Sequence, residues 1–325
     1  MIFLELKTDM KGHKKEKINA LVTGGLGFVG SHLTERLIKE GFRVIVVDNL
    51  SSGRKENLNP GAKLYKIDIQ NPKIAEVFQK EKPRFVFHFA AQINVRKSLA
   101  DPLNDAKINI LGTLNVLENC RKNKVKKFIF PSSVGVYGDS KKLPIKEDFS
   151  LNPLSPYSVA KLAVEKYLNF YQAQGLEYAI LRYANIFGPR QSAQGEGGVV
   201  AKFIDDVFQK EKPIIFGSGN QTRDFLYVAD AVEAAILAAK KSSFVIYNVG
   251  TNTEVSVRNL LKLILELSSK KIEPIFEPFR QGEILKSRID FSKIKKELNW
   301  QPKYNLIKGL VETIDWYKNY IFLKK

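Results

Sequence analysis

The chain has 325 residues, of which 44% are hydrophobic, so its length and composition allow a packed core and argue against disorder. A single cysteine, Cys120, excludes a disulfide framework and favours a protein of the reducing cytoplasm. No apolar run in the sequence is long enough to span a membrane.

The formal net charge of +18 at pH 7 raises the question of nucleic-acid binding. The lysines are spread along the whole chain, and no nucleic-acid-binding motif accompanies them. A solvated, lysine-rich surface is therefore the favoured interpretation, and such a surface would attract an anionic substrate such as a nucleotide diphosphate. Residues 1–17 change from apolar to basic and are expected to form a flexible extension before the first strand.

The first part of the chain alternates between strand and helix patterns. Six short apolar runs predict strands: Ile18 to Thr23, Arg43 to Val47, Lys63 to Ile67, Phe85 to Phe89, Lys127 to Phe130 and Tyr178 to Tyr183. Helices are predicted between them at Ser31 to Glu40, Asn104 to Asn119 and Pro156 to Tyr171, the last capped by Ser155. This alternation predicts an α/β fold of the Rossmann type, with a doubly wound parallel sheet.

The later part of the chain predicts a smaller α/β lobe that follows the nucleotide-binding core. Its segments are a loop at 185–198, an alanine-rich helix from Val228 to Lys240, a strand from Val245 to Val249, a helix from Ser256 to Leu267 and two short helices after Phe291. We expect residues 18–184 plus 222–255 to form the core and residues 185–221 plus 256–320 to form the lobe.

A glycine-rich turn, Thr23 to Gly30, lies between the first strand and the first helix. Its spaced glycines are Gly24, Gly27 and Gly30. They permit a tight turn, and the helix N-terminus behind them offers free N–H groups to a pyrophosphate. Asp48 ends the second strand, where a carboxylate accepts hydrogen bonds from ribose hydroxyls and repels a 2′-phosphate. An ordinary turn is the alternative, but this context predicts a dinucleotide site that favours NAD over NADP.

Two residues near this turn leave alternatives open. Arg54 lies close enough in sequence to accommodate the extra phosphate of NADP. Asp68 ends the third strand, where it either contacts the adenine of a dinucleotide or is a plain loop carboxylate.

A tyrosine and a lysine four residues apart, Tyr157 and Lys161, share one face of a predicted helix. A nearby ammonium group and a positive nicotinamide would lower the pKa of the phenol from about 10. Tyr157 could then accept a proton from a hydroxyl while hydride leaves the same carbon. Ser133, at the end of the fifth strand, could hold the substrate oxygen. A solvated helix pair is the alternative, but the nucleotide site before it favours redox chemistry at a carbinol carbon.

Together, these motifs resemble those of the extended short-chain dehydrogenase/reductases, and within them the nucleotide-sugar epimerases of the UDP-glucose 4-epimerase type. The resemblance covers nearly all of Ile18 to Tyr317. It rests on Thr23 to Gly30, Asp48 to Gly53, His88 to Ala91, Pro131 to Ser133, Tyr157 to Lys161, Arg182 to Asn185, Gln221 to Asp224 and Arg280 to Glu283.

The resemblance implies that bound NAD takes hydride from C4 of a UDP-hexose and returns it to the opposite face after the keto sugar turns. It implies Ser133, Tyr157 and Lys161 as catalytic residues. The implied cofactor contacts are Gly24, Gly27, Phe28, Val29, Gly30, Asp48, Asn49, Ser52, Gly53, Asp68, Ile69, Phe89, Ala90, Ala91, Asn109, Lys161 and Tyr183. The implied substrate contacts are Ser133, Tyr157, Asn185, Val199, Arg223, Arg280, Glu283 and Ser287. It also implies a homodimer formed through the helices Asn104 to Asn119 and Pro156 to Tyr171.

Two positions narrow the choice of reaction within the resemblance. Related dehydratases and decarboxylases carry an acid just after the active-site hydroxyl, where this chain has Val134 and Gly135. Some epimerases exclude 2-acetamido sugars with a bulky tyrosine at a position that matches Ser287 here, so N-acetylhexosamines are expected to fit. A uronic-acid epimerase, a reductase, and a redox-inactive nucleotide- or RNA-binding protein remain as alternatives.

A metal site is not expected, because the three histidines show no metal-ligand spacing. They are His13, His32 and His88. His88 is expected to pack beside the cofactor.

Overall fold

The computed structural model describes residues 17–193, 198–241, 244–279 and 284–322. A seven-stranded parallel sheet forms its centre. Its strands in chain order are β1 (Asn19–Thr23), β2 (Arg43–Val47), β3 (Ala62–Tyr65), β4 (Phe85–His88), β5 (Lys127–Ser133), β6 (Glu177–Tyr183) and β11 (Val245–Val249). They lie side by side in the order β11-β6-β5-β4-β1-β2-β3. This order, with its reversal between β1 and β4, confirms the predicted doubly wound fold.

Helices cover both faces of the sheet and build most of the smaller lobe. They are α1 (Phe28–Lys39), α2 (Ile74–Glu81), α3 (Val95–Ala100), α4 (Pro102–Ala106), α5 (Thr113–Lys122), α6 (Pro156–Gln172), α7 (Val199–Gln209), α8 (Val228–Lys240), α9 (Val257–Leu267), α10 (Ser292–Leu298) and α11 (Leu306–Phe322). One apolar cluster joins α1 and α8 to one face of the sheet. A second joins α2, α5 and α6 to the other face. The strands are therefore buried on both sides, which is why their sequences are continuous apolar runs.

The smaller lobe has a core of its own, built from α7, α9 and α11. Three two-stranded sheets accompany it: β7 (Asn185–Phe187) with β10 (Phe225–Tyr227), β8 (Ile214–Phe216) with β13 (Ile275–Glu277), and β9 (Thr222–Arg223) with β12 (Val255–Ser256). The division of the chain into two domains at the residues given above stays a prediction.

Three of the local predictions were wrong in detail. Residues 185–198 were expected to be a loop, but they begin with β7, whose partner β10 lies far along the chain, so local composition carries no sign of the pairing. The helix expected from Asn104 to Asn119 is interrupted by a π-helical stretch, Lys107–Gly112. The second helix of the tail, α11, is long, with 17 residues. The expected extension before β1 lies outside the described residues, except for Lys17.

None of the helices that the structure describes is sufficiently long and apolar to cross a membrane.

Ser155 caps α6 as predicted, because its hydroxyl oxygen accepts a hydrogen bond from the backbone N–H of Ser158 at 3.3 Å.

Candidate active site

The glycine turn and the segment after β4 meet where the strand order reverses. Thr23 and His88, the last residues of β1 and β4, are directly paired in the sheet. Each strand therefore delivers its following loop to the same crevice at the carboxyl edge, which is the usual ligand site of such sheets. The loop after β4 contains Phe89, Ala90 and Ala91, all of which are partly exposed.

Close backbone approach explains two of the glycines in the turn. Gly24 has a φ of +68°, and a Cβ atom on it would lie 2.6 Å from the backbone nitrogen of Ala90. A Cβ on Gly30 would lie 2.1 Å from the carbonyl oxygen of Gly24. Gly27 is the N-cap of α1, so the amide groups of Phe28 and Val29 begin the helix with no partner inside it. The turn fits the pyrophosphate of a dinucleotide, which needs this cradle of amide groups.

Asp48 is buried beside the turn and is oriented by backbone amides. Its Oδ2 accepts a hydrogen bond from the N–H of Leu26 at 3.0 Å, and its Oδ1 accepts one from Leu50 at 2.8 Å. A Cβ on Gly53 would lie 2.8 Å from Oδ1, so that glycine lets the following loop close over the carboxylate. Each oxygen keeps a lone pair for a ribose hydroxyl. The arrangement fits the adenosine ribose of NAD.

The other residues predicted to contact the adenosine part of NAD lie on the loops after β2 and β3. The side-chain amide of Asn49 donates to the Asp68 carboxylate at 2.7 Å, which joins the loops after β2 and β3. Ser52 is exposed, whereas the side chain of Ile69 is buried. Arg54 donates a hydrogen bond to the hydroxyl of Tyr320 in α11 and its guanidinium lies 5.4 Å from that ring centre.

His88 is buried in a hydrogen-bonded chain beneath the crevice. The hydroxyl of Thr113 donates to the carbonyl oxygen of Asn109 at 2.7 Å, so it accepts from His88 Nε2–H at 2.9 Å. His88 Nδ1 then accepts from the hydroxyl of Thr23, also at 2.9 Å. Burial and the charge of Lys161 lower the pKa of His88 to about 3, so the ring is neutral. His88 therefore links the ends of β1 and β4 to Thr113, at the start of α5.

The three predicted catalytic residues lie at the carboxyl end of β5 and the start of α6. Ser133 is the last residue of β5, and its hydroxyl oxygen accepts from the N–H of Gly135 at 3.1 Å. Lys161 Nζ donates to the carbonyl oxygen of Pro131 at 2.8 Å, which anchors the first turns of α6 to β5. The same ammonium lies 5.6 Å from the ring centre of Tyr157. The structure thus brings the triplet together on two adjacent elements.

The expected lowering of the pKa of Tyr157 is not produced by the protein's own groups. Burial, together with the negative charge of Asp105, raises the pKa of Tyr157 above its ordinary value. Burial lowers the pKa of Lys161 to about 8, against the opposing effect of the Asp105 and Glu165 carboxylates. A phenolate at Tyr157 therefore needs a further positive charge, such as an oxidised nicotinamide, beside it.

A buried ionic network that the sequence motifs did not predict supports the middle of α6. Glu165, one turn beyond Lys161, accepts two hydrogen bonds from Arg182, at 3.0 Å and 2.6 Å. It also accepts one from the hydroxyl of Ser132 at 2.6 Å. Arg182 donates further to Tyr137 at 2.8 Å. The sequence did contain one sign of Glu165: it follows Lys161 by four residues, which places the two side chains on the same face of the helix.

Asp105 and Gln92 were also missed. They form a buried amide and carboxylate cluster with Asn109, next to the Tyr157 and Lys161 helix. The signal was again helical spacing, since Asp105 precedes the predicted cofactor residue Asn109 by four positions.

The structure describes only some of the predicted substrate contacts. Asn185 is exposed, and Val199 begins α7. Arg223 donates to the carbonyl oxygen of Ile284 at 2.7 Å, which places it beside the segment that follows residue 283. Arg280 and Glu283 lie outside the described residues.

Two of the residues predicted to contact substrate or cofactor have side chains that are buried inside the protein. Ser287 is buried, and within the described part of the chain its hydroxyl has no hydrogen-bond partner. The hydroxyl of Tyr183 donates to the carbonyl oxygen of Ala231 at 3.0 Å, so this group is engaged inside the core. The individual roles assigned to the site residues stay predictions.

In the ranges that the structure describes, no group of three or more His, Cys, Asp or Glu side chains could hold a metal ion.

The fold and the site define a nucleotide-binding α/β protein with a serine, tyrosine and lysine set suited to redox chemistry. The family model described as "NAD dependent epimerase/dehydratase family" matches residues 20–250, more than half of the chain. The chain therefore belongs to the NAD-dependent epimerase/dehydratase family, which confirms the resemblance seen in the sequence.

Relatives and solved structures resemble the chain over nearly its whole length. A putative UDP-glucose 4-epimerase of Methanocaldococcus jannaschii is 42% identical over 301 residues, covering 92% of this chain and 98% of that protein. The UDP-glucose 4-epimerase of Thermotoga maritima, solved with UDP-glucose, has a TM-score of 0.92 and 44% identity, covering 94% of this chain and 100% of the other. The UDP-glucose 4-epimerase of Thermus thermophilus, solved with NAD, has a TM-score of 0.88 and 36% identity, covering 93% and 99%.

Proposed function

We propose that this protein is an NAD-dependent 4-epimerase of a UDP-hexose, with UDP-glucose and UDP-galactose as its substrate pair and the N-acetylated forms as further substrates. The observation that carries the proposal is the placement of Tyr157 and Lys161 on α6, with Lys161 anchored at the end of β5 beside Ser133. The family and the UDP-glucose 4-epimerases that resemble this chain support it.

The chain's own residues account for the proton in this reaction. Bound NAD supplies the acceptor and donor of hydride at C4. Ser133 holds the oxygen on that carbon, and Tyr157 takes its proton and later returns it. The ammonium of Lys161 is charged at neutral pH because its pKa is about 8, and together with the positive charge of an oxidised nicotinamide it would offset the burial that raises the pKa of Tyr157. Since the proton and the hydride both return to the sugar, the reaction needs no external oxidant or reductant.

The residues after Ser133 favour epimerisation over elimination. Val134 to Tyr137 form a 3-10 turn with no acid at the positions that follow the serine. Proton loss at C5 with elimination at C6 requires a side chain that carries that proton. A uronic-acid 4-epimerase uses the same proton chemistry as the proposed reaction and is the second candidate.

The proposal is tested by incubating the purified protein with UDP-glucose, UDP-N-acetylglucosamine and UDP-glucuronate, without an added reductant. Conversion of UDP-glucose to its C4 epimer, followed by chromatography or NMR, is the expected result. Conversion of UDP-glucuronate alone would replace the proposal with the second candidate. If none of the three is converted, the protein is not a UDP-sugar 4-epimerase.

The role of the phenol is tested by Tyr157→Phe. We expect turnover to fall by at least a hundredfold with little change in the affinity for UDP, since only the proton acceptor is removed. Tyr167→Phe is the matched control, because Tyr167 lies on the same helix and is 42% exposed. Equal losses of turnover and UDP affinity in Tyr157→Phe would assign the phenol a structural role.

We further propose that the protein is a cytoplasmic homodimer. Exposed apolar side chains on α3, α4 and α6 support the dimer: Leu99, Leu103 and Phe170 are 60%, 74% and 60% exposed. The buried, single Cys120 supports a reducing compartment. Sedimentation analysis should give twice the chain mass, and Leu103→Lys combined with Phe170→Lys should give the monomer. A monomeric wild-type protein would refute the dimer.

A further inference from the structure

A buried carboxylate lies directly after Arg223, one of the predicted substrate contacts. Asp224 connects β9 to β10 and ends the motif Gln221 to Asp224, but it is not among the predicted site residues. It is 0% exposed. A buried carboxylate loses its hydration, so it needs hydrogen-bond donors to compensate. The donors around Asp224 therefore identify the segments that it holds in place.

Both oxygens of Asp224 accept hydrogen bonds from the loop that follows β11. Oδ1 accepts from the backbone N–H of Thr251 at 2.9 Å and from its hydroxyl at 2.7 Å. Oδ2 accepts from the N–H of Asn252 at 3.1 Å. These contacts fix the carboxylate at the carboxyl edge of the central sheet.

The same carboxylate holds the segment 284–290, which we call the substrate arm because it contains the predicted substrate contact Ser287. Oδ2 accepts a further hydrogen bond from the N–H of Ile289 at 3.3 Å. A Cβ atom on Gly250 would lie 2.8 Å from this oxygen and 2.5 Å from Cγ1 of Ile289. The glycine therefore permits the close approach of the arm to Asp224.

The two residues before Asp224 bond the beginning of the substrate arm. The N–H of Thr222 donates to the carbonyl oxygen of Leu285 at 2.9 Å. The guanidinium of Arg223 donates to the carbonyl oxygen of Ile284 at 2.7 Å. Three consecutive residues thus bind both ends of the arm, and the position of Arg223 depends on the position of the arm.

A second contact holds the arm from the side of the catalytic strand. The N–H of Ile145, in the segment after β5, donates to the carbonyl oxygen of Arg288 at 2.9 Å. The carbonyl oxygen of Ile145 accepts from the N–H of Asp290 at 2.8 Å. Loss of Asp224 should therefore loosen the arm without releasing it completely.

We propose that Asp224 is a positioning residue that holds the substrate arm and Arg223 in the geometry that binds the diphosphate of the UDP-hexose, before that substrate arrives. The inference rests on the proposed function for the identity of this ligand. A guanidinium pairs well with phosphate oxygens, and a site that is ordered in advance spends less binding energy on ordering itself. Asp224 is buried, so it acts on the substrate only through the arm and Arg223.

The test variant is Asp224→Ala, which removes all four hydrogen bonds to the carboxylate and adds no donor. Calorimetric titration of the purified NAD-bound protein with UDP measures the affinity, and hydrogen exchange measures the protection of the arm without UDP. If the arm then occupies its binding position about a tenth of the time, the apparent Kd of UDP rises about tenfold. The KM for UDP-glucose should rise similarly with little change in kcat, because the catalytic residues lie on β5 and α6.

Asp230→Ala is the matched control. Asp230 is 2% exposed and also accepts two backbone hydrogen bonds, from Lys303 and Tyr304, which lie outside the arm. This variant should lose stability but keep the wild-type UDP affinity and the wild-type protection of the arm. Gly250→Ala, which keeps the carboxylate but inserts a Cβ between it and Ile289, should weaken UDP binding as Asp224→Ala does.

A folded Asp224→Ala protein with wild-type UDP affinity would overturn the inference, and so would equal losses of affinity in Asp224→Ala and Asp230→Ala. If Asp224→Ala does not fold, exchange in the wild-type protein decides, because an Ile289 amide that is unprotected until UDP is added would overturn the inference as well. A wild-type protein that binds no UDP would refute the proposed function instead. The exchange measurements need no ligand, so they test the hold of Asp224 on the arm in either case.

Discussion

The buried pair formed by Glu165 and Arg182 allows a quantitative prediction about stability. Their side chains are only 4% and 3% exposed, and the shortest contact between them is 2.6 Å. Glu165→Gln replaces one carboxylate oxygen with an amide group that faces the guanidinium as a second donor. The cation then remains buried without its counter-charge, which costs about 3–5 kcal/mol. Each kcal/mol lowers the Tm by roughly 1.5 °C in a chain of 325 residues, so a loss of about 4–7 °C is expected.

Chemical denaturation and calorimetry of Glu165→Gln, Arg182→Met and the double variant measure this effect. Removing both charges leaves no unpaired ion, so the double variant should be more stable than either single variant. The loss should be accompanied by weaker activity, because Glu165 also holds the hydroxyl of Ser132, next to Ser133. A loss below about 1 kcal/mol in Glu165→Gln, or a double variant as unstable as the sum of the two, would refute the ionic account.

Three further predictions concern the cofactor site. Gly30→Ala should abolish NAD binding and destabilise the protein, because its Cβ would lie 2.1 Å from a carbonyl oxygen of the turn. Gly41→Ala is the control: a Cβ at that position meets no atom within 4 Å, so this variant should retain bound NAD. Asp48→Ser should raise the NADP to NAD affinity ratio at least tenfold in calorimetric titrations, since the charge that repels a 2′-phosphate is removed; an unchanged ratio would contradict the role of Asp48. The His88 ring should stay neutral from pH 8 to pH 5 in NMR spectra, because its pKa is about 3. The unfolded chain protonates this residue below about pH 6.5, so stability should decline as the pH falls from there towards 3.

Local patterns in the chain were enough to predict the nucleotide-binding core. The valine-rich run of β2 and the glycine turn before α1 depend on neighbours within a few residues, as does the Ser155 cap of α6. Strands buried on both faces are apolar runs whatever their neighbours are, so their alternation with helices predicted the parallel sheet. Tyr157 and Lys161 were recognisable because one turn of a helix separates them.

Contacts between distant segments determined the rest. β7 exists because residues 185–187 pair with β10, and Glu165 is a buried anion because Arg182 comes to it from β6. The pKa of Tyr157 depends on burial and on the charge of Asp105, which belongs to another helix. Strand pairing, desolvation and charge interactions act through space between residues that the folded chain brings together, and the linear order of amino acids records none of these distances.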